Sequence, residues 1–167
     1  MDMAARWLAP SLALSLTVVS AAGGQPATPS ATVIPDGLRA HLRSEHFSPM
    51  TTVAALPAGL RQALSQLFNA PTLDMADPGA PFQATDVMIT PRLPARRLVA
   101  AGCSADHCLV YYERGGFVHV HQIVLFGKTD TAFRFVEGGV APGGLSDLEQ
   151  VKDALLSGKI TGGSKYW

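Results

Sequence analysis

The stretch RLVAAGCSADHCLVYYERGGFVHVHQIVLFGKTDTAFRFVE, residues 97–137, decides the fold. It reads as four antiparallel strands, 97–103, 108–113, 117–126 and 132–137, joined by short turns and holding the only two cysteines of the chain. A strand sends successive side chains to opposite faces. From Phe117 the even positions Val118, Val120, Gln122, Val124 and Phe126 are apolar with one exception, so this face is expected to be buried. The odd positions Phe117, His119, His121, Ile123 and Leu125 mix imidazoles with apolar groups, which suits a surface partly covered or used for contact.

Arg114-Gly115-Gly116 supplies the positive φ of a tight hairpin turn, and Lys128-Thr129-Asp130 marks the next turn. With Arg114 and Gly115 at the centre of the first turn, Glu113 faces Gly116, Val110 faces His119 and Cys108 faces His121. A shift of one residue exchanges which tyrosine, Tyr111 or Tyr112, shares a face with the histidines. The pattern leaves that register open.

Around this core the helical signals lie at both ends of the strand run. Asp36 is placed to cap a short helix through Leu38 and Leu42 that ends before Ser48-Pro49. Pro57 fits a first helical position, with Leu56, Leu60, Ala63, Leu64 and Leu67 on one face and a stop at Asn69-Ala70-Pro71. Between residues 71 and 94 five prolines and Gly79 leave room for one short edge strand, 86–90. Gly138-Gly139 and Pro142-Gly143-Gly144 read as a flexible crossing after the sheet. Ser146-Asp147-Leu148-Glu149 then fits a capping box ahead of a helix with Leu148, Val151, Ala154 and Leu155 on one face, stopped by Gly158 and expected on the even face of the sheet. The expectation is an α+β fold, an antiparallel β-meander of four to five strands packed on one face by two helices.

Residues 1–22 have the pattern of a secretory signal peptide: Arg6, an apolar segment at 8–19 interrupted by Pro10, and the small residues Ser20-Ala21-Ala22. Such a segment is too short for a spanning helix of about 20 residues, so no stable membrane anchor is expected after cleavage. Residues 23–33, rich in Pro, Gly and small side chains, read as a disordered linker, and 34–167 as a single domain. The chain has 167 residues with 13 basic and 13 acidic side chains. Such a balance argues against nucleic acid as a partner. Export places the protein in the periplasm or outside the cell, where Cys103 and Cys108 are expected as a disulfide. Its small loop puts the gain at the low end of about 2–4 kcal/mol.

No catalytic signature assembles. There is no Gly-x-Ser-x-Gly elbow and no phosphate-binding loop, and Asp106 with Glu113 is the sole local suggestion of a carboxylate pair. Arg92, Arg96 and Arg97 read as solubilising charges at a strand edge. Tyr111, Tyr112, Arg114, Phe117, His119 and His121 crowd one hairpin and are of the types enriched in contact surfaces. They point to a small exported non-catalytic binding protein, of the inhibitor or immunity type, that meets an exported protein partner through residues 108–121 and carries no cofactor. The alternative is an exported zinc- or copper-binding protein using His119 and His121, which project from one strand face, with His107 or Asp106 as a third ligand.

Overall fold

The apolar residues on either side of the disulfide turn build the centre of the molecule. The computed structural model describes residues 34–87 and 92–162. Its six strands are β1 (Ser48–Met50), β2 (Arg96–Cys103), β3 (His107–Arg114), β4 (Val120–Lys128), β5 (Phe133–Ala141) and β6 (Thr161–Gly162), each antiparallel to the next and in sequence order. The helices are α1 (Asp36–Ser44), α2 (Ala58–Leu67) and α3 (Leu148–Leu156). The α+β class and the antiparallel meander are as expected, with six strands in place of four or five. The signal peptide, the 23–33 linker, residues 88–90 of the expected edge strand, and the tail with Tyr166 and Trp167 lie outside the described residues.

The sheet is covered on both faces. Residues 108–112 of β3 and 122–126 of β4 are all buried. Cys108, Val110, Tyr112, Val124 and Phe126 pack with Leu56, Leu60, Leu64 and Phe68 from α2 and its flanks. On the opposite face Leu109, Tyr111, Ile123 and Leu125 pack with Leu42 of α1 and with Val151, Ala154 and Leu155 of α3. The helices therefore divide between two faces rather than sharing one, and α3 lies on the odd face rather than the even one. The reason is in β4, where Ile123 and Leu125 are as apolar as Val124 and Phe126. Fully burying each such side chain is worth about 1.5–3 kcal/mol, so neither face can be left to water.

The first hairpin is wider than a two-residue turn. Arg114 pairs with Val120, Glu113 with His121, Val110 with Val124 and Cys108 with Phe126. The pairings of Glu113 with Gly116, Val110 with His119 and Cys108 with His121 do not form, and Phe117, Val118 and His119 belong to a five-residue loop rather than to the strand. Gly115 serves close approach: its N–H donates to the Ala95 carbonyl at 3.1 Å, and a Cβ there would lie 1.7 Å from the Gln83 carbonyl oxygen. A strap at residue 83 thus occupies the space that a tight turn would use. The expected crossing at Gly138-Gly139 is likewise strand, because a Cβ on Gly139 would lie 2.2 Å from the Thr161 carbonyl oxygen. Glycine lets β6 dock there.

Cys103 and Cys108 are directly opposed in register and bonded, with Cα atoms 4.1 Å apart. The caps differ from expectation by one residue. Asp147, not Ser146, caps α3 by accepting the Gln150 N–H at 2.9 Å, and the Gln150 side-chain carbonyl reaches back to accept the Ser146 N–H at 3.2 Å. Asp36 is the first residue of α1 rather than its cap, where its charge still favours the helix N-terminus. Pro57 is the residue before α2 rather than its first. Asn69 and Gly158, both at positive φ, end α2 and α3, with Ala70 N–H on Ser65 carbonyl at 2.9 Å and Lys159 N–H on Ala154 carbonyl at 3.1 Å. Among the described residues no helix is long and apolar enough to cross a membrane.

Candidate functional site

At the hairpin end of the sheet, three adjacent strands align Arg97, Glu113 and His121 side by side. Arg97 is the partner of Glu113 in β2, and His121 is its partner in β4. Cross-strand neighbours share a face with Cβ atoms about 4.5–5.5 Å apart, so the register itself assembles the group. Both Nε and a terminal nitrogen of Arg97 converge on Glu113 Oε2, at 2.6 and 2.5 Å. That leaves Oε1 toward the imidazoles, 3.3 Å from His121 Nε2 and 3.5 Å from His119 Nε2. Glu113 is buried, and the guanidinium is what makes a buried carboxylate tolerable.

Rings enclose this carboxylate. His121 stacks on Tyr111 at 5.6 Å between centroids and lies 5.2 Å from His119, which in turn meets Phe82 at 5.7 Å. Phe82 also lies beneath the Arg97 guanidinium, 4.6 Å away. The Tyr111 hydroxyl donates to the Pro142 carbonyl at 2.8 Å and is thereby committed to structure. Burial raises its pKa. Burial also lowers the pKa of His121, and this outweighs the opposing pull of Glu113. His121 is therefore held neutral, with Glu113 placed to fix which ring nitrogen carries the proton.

The residues expected in a contact surface separate in depth. Tyr111 and Tyr112 are both fully buried, on opposite faces, so neither presents a contact. Tyr111 is the one that shares a face with His121. Tyr112 packs edge-on against Phe68, whose ring carries the Arg96 guanidinium at 3.9 Å. Arg96 is buried there rather than solubilising an edge. Arg114 lines an open cleft of about 470 Å³ together with Gly115, Gly116, Phe117, Val118, Val120 and Val140. Phe117 is 97% exposed and Val118 67% exposed.

His107 does not join His119 and His121. It begins β3, whereas Glu113 stands near the other end, about 20 Å along the strand at 3.4 Å per residue. The same separation parts Asp106 from Glu113, so they form no carboxylate pair. Instead each imidazole group finds a carboxylate that sequence reasoning missed. His41, Glu45 and His107 bring donor atoms within 4.8 Å of one another at the disulfide end, as do Glu113, His119 and His121 at the hairpin end. The i,i+4 spacing of His41 and Glu45 was a local signal for the first group. Its junction with His107 depends on where α1 docks.

A divalent ion at the hairpin group would sit beside Arg97. Two unit charges 4 Å apart repel by about 4 kcal/mol at an effective dielectric of 20, and a divalent ion feels twice that. The guanidinium already supplies the charge that Glu113 needs. Compared with known proteins, the chain matches no family model, no curated protein and no solved structure.

Proposed function

We propose that the protein is an exported, non-catalytic binding protein that engages another exported protein through the loop between β3 and β4. The observation that carries this is Phe117, an aromatic side chain almost wholly in water, next to exposed Val118. Large apolar side chains standing together in solvent mark contact surfaces, and an aromatic anchor filling a partner's pocket is the usual source of binding energy. The loop base is firm. Arg114 pairs with Val120, Gly115 is bonded to Ala95, and Arg97, Glu113 and His121 brace the strands beneath. An anchor on such a base loses little freedom on binding, which suits an inhibitor or immunity-type partner for an enzyme or toxin. The metal reading of His119 and His121 has a third donor in Glu113, but Arg97 weighs against it.

The test is a photo-reactive phenylalanine at position 117, irradiated in cells of the source organism. The expected result is one discrete adduct with an exported protein, competed by excess wild-type protein and not by the Phe117→Ser, Val118→Ser variant. The same adducts from a photo-reactive residue at Asn69, remote from the loop, would refute the proposal.

A further inference from the structure

At the opposite end of β3 the geometry points to a zinc-type metal site made by His41, Glu45 and His107 that ties α1 to the disulfide turn. It involves none of the loop residues and stands or falls apart from the loop's role. Glu45 Oε1 lies 3.2 Å from His41 Nε2 and 3.0 Å from His107 Nδ1, and Asp106 Oδ2 lies 3.0 Å from the same His41 nitrogen. Four donors at 2.0–2.1 Å from a tetrahedral zinc ion stand about 3.3–3.4 Å apart. Glu45 thus already stands from both imidazoles at close to the spacing that the ion would require, whereas Asp106 reaches His41 alone.

Hydrogen bonding alone accounts poorly for this arrangement. His41 Nε2 carries at most one hydrogen, yet it faces two carboxylates. His107 Nδ1 is 3.0 Å from both oxygens of Glu45, splitting its single N–H between them. Two carboxylates converge here, and histidines are their ion-pair partners. The nearby ammonium of Lys152 binds the backbone carbonyls of Glu45 and Arg43, at 2.9 and 3.4 Å, rather than a carboxylate. A divalent cation would satisfy His41, Glu45 and His107 at once. This is the converse of the hairpin group, where a guanidinium already fills that role.

The donors also sit on firm supports. The side chains of Glu45 and His107 are only 8% and 12% exposed. The turn carrying Asp106 and His107 is closed by the disulfide, by the Ser104 hydroxyl accepting the His107 N–H at 2.9 Å, and by the Asp106 carbonyl accepting the Lys128 N–H at 2.7 Å. His41 is the more exposed donor, on the solvent side of the site. Two imidazoles with a carboxylate suit zinc and its neighbours cobalt, nickel and copper, not calcium or magnesium. Three protein donors leave the fourth tetrahedral position to a water molecule.

The test titrates the full-length chain, stripped with chelator, against zinc chloride by calorimetry and against cobalt chloride by visible absorption. One equivalent of zinc should bind, cobalt should show the intense bands of four-coordination, and the melting temperature should rise. His41→Gln and His107→Ala should each weaken binding by about 100-fold or more, the order seen when groups that support a metal are removed. His41 is exposed enough that its variant keeps the fold. His119→Gln should bind as wild type does. No binding by the wild type, unchanged binding by His41→Gln, or loss on His119→Gln instead would each overturn the proposal.

Discussion

Replacing Glu113 by Gln removes one charge from the centre of the hairpin site while keeping its volume and one carbonyl oxygen. Two Arg97 nitrogens bond to Glu113 Oε2. Hydrogen bonds to charged groups contribute about 1.5–3 kcal/mol each and neutral ones about 0.5–1.5, so the exchange costs about 1–1.5 per bond. The Arg97 side chain is 28% exposed, and water recovers part of that loss. The expected destabilisation is therefore about 2 kcal/mol, or about 4–8 °C in melting temperature for a domain of this size. Urea unfolding at neutral pH should show a lower midpoint with an unchanged slope. In an Arg97→Met background the same substitution should cost much less, because the partner charge is gone. A loss under about 0.5 kcal/mol, the range of an ordinary surface change, would refute the assignment of Glu113 as the group that organises this end of the sheet. So would full additivity with Arg97→Met.

Other substitutions bear on the same framework. Burial holds the folded pKa of His121 below its ordinary value of 6.5, so the unfolded chain takes up the proton more readily. Its contribution to stability is whole above about pH 6.5 and is lost as the pH falls through the folded value. The urea midpoint of wild type relative to His121→Gln should accordingly drop between about pH 7 and 5, and a relative rise would contradict this. Tyr111→Phe, which deletes the bond to the Pro142 carbonyl, should cost about 1 kcal/mol by chemical denaturation; no change would show that bond to be idle. Cys103→Ser with Cys108→Ser should cost about 2 kcal/mol, the low end for a short loop, measured against the oxidised protein. Gly139→Ala should expel β6, seen as faster amide exchange at Val140 and Thr161, because a methyl group there meets the Thr161 carbonyl.

Much of the sheet was legible because its signals are local. Alternation and turn residues located β2, β3, β4 and β5 to within a few positions, and the pair of cysteines marked the turn that joins β2 to β3. β1 was not legible: three residues containing Pro49 have no pattern of their own and become strand only because the β2 edge is open to them. The hairpin register was not legible either, since Gly115 reads as a turn glycine until the strap at residue 83 is seen to press on it.

The sequence by itself determined the antiparallel meander, the disulfide and the three helical segments, because side-chain periodicity and capping act over a few residues. Only the tertiary structure decided which tyrosine lies under the histidines, that helices cover both faces, and that His41 and His107 form one group and His119 and His121 another. Each of these depends on residues far apart in the chain, such as Glu45 beside His107 and Arg97 beside His121 across Glu113. The physical reason is that a strand's pattern states which residues share a face. The partner that stands opposite that face is chosen by how whole elements pack, and no local spacing encodes it.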